Sequence, residues 1–204
     1  MTEGRLSYLH TLDCTGTAIK LALMVSQDDA KVIAFANTLP EGDLLFMRRD
    51  IRQPKVVAAW TDLIAQGRLA SLLAWSGGEV VGCAALVIDP LSWSPHVGEL
   101  RVVVSRKVCG IGLGRALIQE AFLIALSKGL EKLVAQMTAD QQGAIAVFES
   151  IGFRGEALMR NHVKGADGRK HDIVAQKHDV ALGPSARFTW VRRLISYSIV
   201  RLVE

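Results

Sequence analysis

The 204-residue sequence predicts an α/β or α+β domain in which helices flank a mixed, mostly antiparallel central sheet. The first observation is the stretch 97–128, where a β-branched run precedes three alternating glycines and a helical apolar pattern. The second is the element order β-α-α-β-β-β-α-β-α-β-β, in which hairpins lead into the central strand. We expect the domain to span residues 18–181, between an unassigned segment 1–17 and a C-terminal segment 182–204.

The composition indicates a globular protein, because 50% of the residues are hydrophobic and 22% are charged. The net charge of +4 is a mild bias toward anionic ligands, whereas a nucleic-acid-binding protein usually shows a dense basic patch. The three cysteines are irregularly spaced, which argues against a disulfide framework and a zinc site, and we expect no metal. No apolar run reaches the roughly 18 residues of a membrane span, and no signal peptide is recognisable, so we expect a cytoplasmic protein.

The first half of the chain predicts one strand, two helices and a hairpin. The strand covers 18–25, and Ser26 with Asp29 resembles a capping box before a helix over 30–39. Pro54 suits the first turn of a second helix reaching about residue 66. Strands over 69–75 and 80–88 then form a hairpin around Ser76-Gly77-Gly78.

The second half is organised around a strand beginning at Val97 and a helix ending near Lys128. Further strands are expected over 130–138, 155–163 and 172–180, with a short helix over 140–150. Asp167-Gly168 is a strong turn signal between the last two strands.

The turn between the central strand and its helix is a candidate pyrophosphate site. Gly110, Gly112 and Gly114 precede the first helical turn, where unpaired N–H groups and the helix dipole favour an anion. Glycines there let the backbone close around a phosphate. Strand, tight turn and helix occur in the order that this chemistry requires.

The residues V-G-E-L-R-V-V-V-S-R-K-V-C-G-I-G-L-G-R-A-L, together with the element order, resemble the acetyl-CoA-binding core of the GNAT N-acetyltransferase superfamily. A second motif, Q-Q-G-A-I-A-V-F-E-S-I-G-F from Gln141 to Phe153, is similar to the family's N-x-x-A-x-x-x-Y-x-x-x-G-F helix. The resemblance implies a GNAT-like fold and acetyl-CoA as co-substrate. It also implies that the pantetheine arm pairs with the central strand while the pyrophosphate lies on the glycine turn. The implied cofactor-binding residues are Val102, Val103, Val104, Cys109, Gly110, Ile111, Gly112, Leu113, Gly114, Arg115, Gln141 and Phe148.

Three positions depart from the family pattern. Cys109 stands where the family turn usually begins with Arg or Gln, Gln141 replaces the helix Asn, and Phe148 replaces its Tyr. The first change removes a side-chain contact to an anion but keeps the backbone. The third removes the hydroxyl that often protonates the departing thiolate, so the general acid is water, another group, or unnecessary.

The implied reaction is acetyl transfer to a primary amine, which attacks the thioester only when it is neutral. A lysine-like amine has a reference pKa of about 10.4, so a base must accept its proton at neutral pH. Glu99 is the one acid on the central strand and resembles the family's frequent general base. The alternative for Glu99 is a structural ion pair with an arginine such as Arg101.

Other residues are weaker candidates for the site. Asp43, Arg48 and Arg49 lie where the family's acceptor-binding region often falls, in a stretch similar to one in some bacterial protein-lysine acetyltransferases, or else form a solvated face. His96 lines the acceptor mouth or is an ordinary loop residue. Cys109 lacks a paired base in sequence and is not expected to be a nucleophile. The remaining candidates, which we expect on the solvent side of the last hairpin, are His162, His171 and His178.

Two questions stay open at the level of sequence. The segment from Pro184 carries apolar residues at helical spacing, which predicts a terminal helix docked on its own domain or on a second subunit, as in a homodimer, or a basic helix on a membrane surface. The competing function is an acyl-CoA-binding sensor without turnover, motivated by Phe148 and Cys109. A Rossmann-type nucleotide site is excluded, because no acidic residue ends a following strand about 20 residues on.

Overall fold

The computed structural model describes residues 9–180, and it consists of one eight-stranded sheet with helices packed on both faces. The strands are β1 (His10–Cys14), β2 (Thr17–Leu23), β3 (Leu69–Ser76), β4 (Glu79–Ile88), β5 (Val97–Val104), β6 (Lys132–Thr138), β7 (Arg154–Lys164) and β8 (Lys170–Asp179). The helices are α1 (Asp29–Asn37), α2 (Pro54–Ala65), α3 (Leu113–Ser127) and α4 (Gln142–Ile151). Short 3₁₀ turns lie at Ser26–Asp28, Glu41–Asp43, Leu45–Met47 and Arg106–Val108. The predicted C-terminal segment lies outside the described residues.

The sheet order is β1-β2-β3-β4-β5-β6-β8-β7, and neighbouring strands are antiparallel except for the parallel pair β5–β6. The expected mixed, mostly antiparallel sheet is therefore confirmed. The parallel pair requires a crossover connection, and α3 supplies it. This single crossover places the start of α3 directly beyond the end of β5.

Two cores, one on each face of the sheet, hold the layers together. One contains α3 and α4 against the sheet, with Leu100, Leu117 and Phe153 among its most buried members. The other contains α1, α2 and the 3₁₀ turns, with Val57 and Leu73 fully buried. Gly98 is closely packed in the first core, because an added Cβ would come within 2.7 Å of Leu130 Cδ1 and 2.8 Å of Leu86 Cδ1 and would force both side chains to shift.

The segment 1–17 contains a strand that the sequence did not predict. β1 pairs antiparallel with β2, from His10 opposite Leu21 to Cys14 opposite Thr17. The two strands are joined at Thr15 and Gly16, both of which have positive φ, and Asp13 accepts a hydrogen bond from the Gly16 N–H. β1 is an edge strand with alternate residues exposed, so its apolar pattern is too sparse to predict it.

His178 is buried, and the expectation that it lies on the solvent side of the last hairpin is wrong. Its imidazole packs against the rings of Phe122 and Phe153 at centroid distances of 5.1 and 5.3 Å. The His178 side chain is therefore on a buried face of β8. His162 on β7 is exposed, as expected.

Burial lowers the pKa of His178 below its ordinary value of 6.5. The unfolded chain therefore binds a proton at this residue at a higher pH than the folded chain does. The free energy of unfolding should therefore be highest above about pH 6.5 and should decrease as the pH drops toward the pKa of His178 in the folded chain. For one proton, the decrease is at most about 1.4 kcal/mol per pH unit.

This prediction is checked by urea unfolding between pH 5 and 8. Below pH 6.5, the free energy of unfolding should change less steeply with pH in His178→Gln than in the wild type. The exposed control His162→Gln should show the same pH dependence as the wild type. Equal slopes in all three proteins would show that His178 does not carry the pH dependence.

No helix among residues 9–180 is long and apolar enough to cross a membrane. Likewise, no group of three or more His, Cys, Asp or Glu residues in this part of the chain could hold a metal ion.

Candidate functional site

The two parallel strands at the centre of the sheet separate toward their C-terminal ends. β5 and β6 pair from Val97 opposite Lys132 to Leu100 opposite Ala135, and the ladder ends there. β5 continues to Val104 and remains paired with β4, whereas β6 continues to Thr138 and remains paired with β8. A gap therefore opens between the two strands beyond Leu100.

Backbone groups of β5 point into this gap. The Ser105 N–H donates to the Val81 carbonyl at 2.8 Å, which fixes the hydrogen-bonding phase between β5 and β4. Because this phase alternates along an antiparallel pair, Val103 directs its N–H and C=O toward β4, while Val102 and Val104 direct theirs toward the gap. An extended ligand could thus add to β5 as a further strand would.

The turn after β5 is shaped by glycine. Gly110 and Gly112 have φ of +83° and +82°, which a residue with a side chain rarely adopts, and a Cβ at either position would meet no atom within 4 Å. The space beside both residues is therefore open. Gly112 is the N-cap of α3, so the unpaired N–H groups of the first helical turn begin at Leu113. Such a turn binds anions.

The gap and the glycine turn belong to one cavity of about 850 Å³. Every predicted cofactor-binding residue except Ile111 lines this cavity. Lining residues that the sequence did not single out include Arg106 and Val108 in the turn after β5, and Gln136, Met137, Thr138 and Asp140 on β6 and its following turn. The strand separation brings the residues of β6 to the cavity, and a long-range feature of this kind leaves no local sequence pattern.

The second motif forms the opposite wall of the cavity. The Gln141 side chain accepts a hydrogen bond from the Thr138 N–H at 3.2 Å, and the Gln141 N–H donates to the Thr138 carbonyl at 3.0 Å. Gln141 thus closes the turn from β6 into α4. Phe148 is buried and packs edge-on against Phe153 at 4.9 Å, so its ring forms apolar wall. Arg115 donates to the Ser150 hydroxyl at 2.8 Å and thereby ties α3 to α4.

Glu99 lies on the face of β5 that is turned toward the 3₁₀ turns, and two arginines hold it. Arg101 Nε is 3.0 Å from Glu99 Oε1, and Arg48 Nη2 is 3.3 Å from Glu99 Oε2. Arg101 also donates to the Met47 carbonyl at 3.3 Å. The expected alternative, an ion pair with Arg101, is present, and Glu99 is not among the cavity-lining residues of the described chain.

The loop over 41–48 borders the cavity through Gly42, Asp43 and Phe46. Asp43 lines the cavity and binds Arg106 Nε at 3.2 Å. Glu41 accepts a hydrogen bond from the Ala166 N–H, so the loop is tied to the β7–β8 turn. Arg48 adopts a left-handed φ of +58° beside Glu99.

The structure also shows where Asp140 and His96 lie relative to the cavity. Hydrogen bonding from the Thr138 hydroxyl lowers the pKa of Asp140, which lines the cavity and is therefore an ionised group. His96 lies at the start of β5, at the end opposite the cavity, where its carbonyl accepts the Glu131 N–H at 2.8 Å. The interpretation of His96 as an ordinary loop residue fits this position.

Three proteins with similar sequences are N-acetyltransferases. Rat N-acetyltransferase 8 is 34% identical over 91 residues, covering 43% of this chain and 41% of that protein. The ribosomal protein bS18-alanine N-acetyltransferase of Escherichia coli K12 is 35% identical over 63 residues, covering 31% and 43%. Glucosamine 6-phosphate N-acetyltransferase of Trypanosoma brucei brucei is 36% identical over 87 residues, covering 41% and 57%. The chain thus spans about half the length of these relatives.

Solved structures share the fold at low sequence identity. An N-acetyltransferase from Staphylococcus aureus Mu50 superposes with a TM-score of 0.70 at 16% identity, covering 79% of this chain and 98% of that one. The spermidine N-acetyltransferase of Vibrio cholerae, solved with CoA and spermine, gives 0.67 at 14% identity, with coverages of 80% and 96%. The sequence model of the acetyltransferase (GNAT) family matches residues 42–153, which contain the glycine turn, the separated strands and the second motif. The chain therefore belongs to the GNAT acetyltransferase family.

Proposed function

We propose that the protein transfers an acetyl group from acetyl-CoA to a primary amine, either of a small molecule or of a protein lysine. The observation that carries this proposal is the continuity of the strand gap with the glycine turn in one cavity. The cavity offers backbone hydrogen-bonding groups at Val102 and Val104, and the start of α3 that borders it is suited to an anion. That sequence of groups fits a pantetheine arm followed by a pyrophosphate.

The residues present fit acetyl-CoA on structural grounds. The Val102 and Val104 backbone would pair with the amide groups of pantetheine, and the N–H groups from Leu113 to Arg115 would receive the pyrophosphate. The open space beside Gly110 and Gly112 is what a close approach of phosphate oxygens requires. Bound acetyl-CoA supplies the thioester that the amine attacks.

The acceptor must lose a proton before it can attack. The neutral nitrogen forms a bond to the thioester carbonyl carbon, the carbon–sulfur bond breaks, and the products are an amide and the CoA thiol. We propose Glu99 as the base that takes the proton, directly or through water. Asp140 lines the cavity, but its lowered pKa makes it a weak proton acceptor.

The leaving group needs no dedicated acid in this proposal. A thiol has a reference pKa of about 8.5, so a thiolate departs readily and takes a proton from water. Phe148 is consistent with such a mechanism, because its buried ring shapes the wall of the cavity without offering a proton.

The names of relatives support an amine acceptor but not a particular one. They include an enzyme named for the alanine of a ribosomal protein, one named for glucosamine 6-phosphate and one named for spermidine. These acceptors share a primary amine and differ in everything else. We therefore propose the chemical class and no individual acceptor.

The second candidate function is an acyl-CoA-binding sensor. It is favoured by one observation: both Glu99 oxygens are engaged within the protein, Oε1 by Arg101 at 3.0 Å and Oε2 by Arg48 at 3.3 Å. Such a protein would bind acetyl-CoA without turnover.

The proposal is tested by measuring thiol release from acetyl-CoA in the presence of a panel of amines. The panel should contain polyamines, amino acids, amino sugars and lysine-containing peptides. Amine-dependent thiol release above the rate of spontaneous hydrolysis is the expected result. Tight binding of acetyl-CoA with no release for any amine would favour the sensor.

A further inference from the structure

Arg106 and Asp43 form an ion pair at the rim of the cavity. Arg106 lies in the 3₁₀ turn that follows β5, and Asp43 lies in the turn Glu41–Asp43. Arg106 Nε is 3.2 Å from Asp43 Oδ2, and the two side chains are 70% and 26% exposed. The pair therefore joins the turn that follows β5 to the loop over 41–48.

Arg106 is also well placed to meet an anion. It and Arg115 are the cationic side chains lining the cavity in the described part of the chain, and Arg115 is bound to Ser150. Cys109 occupies the position where an arginine or glutamine is expected, and its thiol lies 3.6 Å from the Ser105 carbonyl. Cys109, the first residue of the glycine turn, thus offers no charged contact to an anion. The guanidinium of Arg106 lies three residues earlier in the chain.

We propose that Arg106 supplies this missing charge by leaving Asp43 and binding the pyrophosphate of acetyl-CoA. The inference rests on the proposed function, since it assigns a specificity-determining residue to the same site. Exposed ion pairs contribute little, because solvent screens them and two long side chains must be ordered. A guanidinium bound to phosphate makes short, charge-assisted and often bidentate hydrogen bonds, so the exchange is favourable.

The exchange predicts opposite effects for its two members. Arg106→Met removes the phosphate contact and should weaken acetyl-CoA binding about 10-fold. Asp43→Asn removes the competitor of the phosphate and should strengthen binding roughly two- to five-fold. A purely structural role for the ion pair would give effects of the same sign.

The experiment is calorimetric titration of the whole chain with acetyl-CoA and with acetyl-dephospho-CoA, which keeps the pyrophosphate but lacks the 3′-phosphate. Arg106→Met should lower the affinity for both ligands by the same factor, and Arg106→Lys should recover part of the lost affinity. Lys107→Met is the matched control, because Lys107 is exposed, adjacent and not part of the cavity wall. It should remain within about two-fold of the wild type.

Three outcomes would overturn the inference while leaving the proposed function intact. They are a wild-type affinity in Arg106→Met, weaker binding in Asp43→Asn, and a loss in Arg106→Met confined to acetyl-CoA. The last would assign Arg106 to the 3′-phosphate. If the wild type itself bound neither ligand, the proposed function would fail, and the inference with it. Thermal unfolding of each variant verifies that the fold is retained.

Discussion

Replacing Gly112 with alanine is expected to weaken acetyl-CoA binding about 100-fold. The new Cβ would enter the open space beside the start of α3, where the phosphates need close contact with backbone N–H groups. It would also disfavour the left-handed φ of +82° on which the orientation of those groups depends. Losing one or two charge-assisted hydrogen bonds accounts for a change of this size.

The matched control for Gly112→Ala is Gly129→Ala. Gly129 also has a positive φ, +71°, and open space for a Cβ, but it follows the C-terminal end of α3. Both variants should lose comparable stability, of about 1 kcal/mol. Only Gly112→Ala should lose affinity in a titration with acetyl-CoA. Equal affinities in the two variants would mean that the glycine turn does not hold the cofactor.

Replacing Glu99 with glutamine is expected to lower kcat for the amine acceptor by about 10² or more. Glutamine has nearly the same shape as glutamate but cannot accept the ammonium proton, so the contribution of general base catalysis is lost. Acetyl-CoA affinity should stay unchanged, because Glu99 does not line the cavity. The pH–rate profile of the variant should differ from that of the wild type, because the acceptor amine must then lose its proton to solvent before it attacks.

The alternative role of Glu99, as an anchor for the loop at Arg48, gives a different pattern. An anchor would alter the acceptor KM and leave the pH dependence of kcat as in the wild type. Glu79→Gln serves as the control, since Glu79 also forms an ion pair, with Lys31 at 2.8 Å, but on the exposed surface. A wild-type pH–rate profile in Glu99→Gln would remove Glu99 from the base role.

Local patterns explain why so much of the fold could be predicted. The hairpin turn at Gly77-Gly78 has positive φ at both residues, as its sequence indicated, and Gly152 ends α4 in the left-handed conformation. Pro54 begins α2 as expected for a first-turn proline. Each of these signals acts over a few residues, so the sequence alone carries it.

Features that depend on distant residues could not be predicted in this way. The burial of His178 follows from the packing of α3 and β8, whose residues Phe122 and His178 are far apart in sequence. The second arginine at Glu99 is Arg48, which reaches it only because the turn at 45–47 folds back on β5. The Asp43–Arg106 pair likewise connects residues 63 positions apart.

In the candidate site, too, local features could be predicted and long-range ones could not. The glycine turn and the valine run were recognisable because both belong to one continuous strand-turn-helix unit. The residues contributed by β6, such as Gln136 and Thr138, became apparent only when the gap between the parallel strands was located.

The most direct test of the account is a calorimetric titration of the wild-type chain with acetyl-CoA and with free CoA. Both ligands share the pantetheine arm and the pyrophosphate, so both should bind in the micromolar range, which corresponds to about −8 kcal/mol. Such a result would establish the cavity between β5 and β6 as the cofactor site despite Cys109. Absence of binding for both ligands would contradict the acetyltransferase and sensor proposals together.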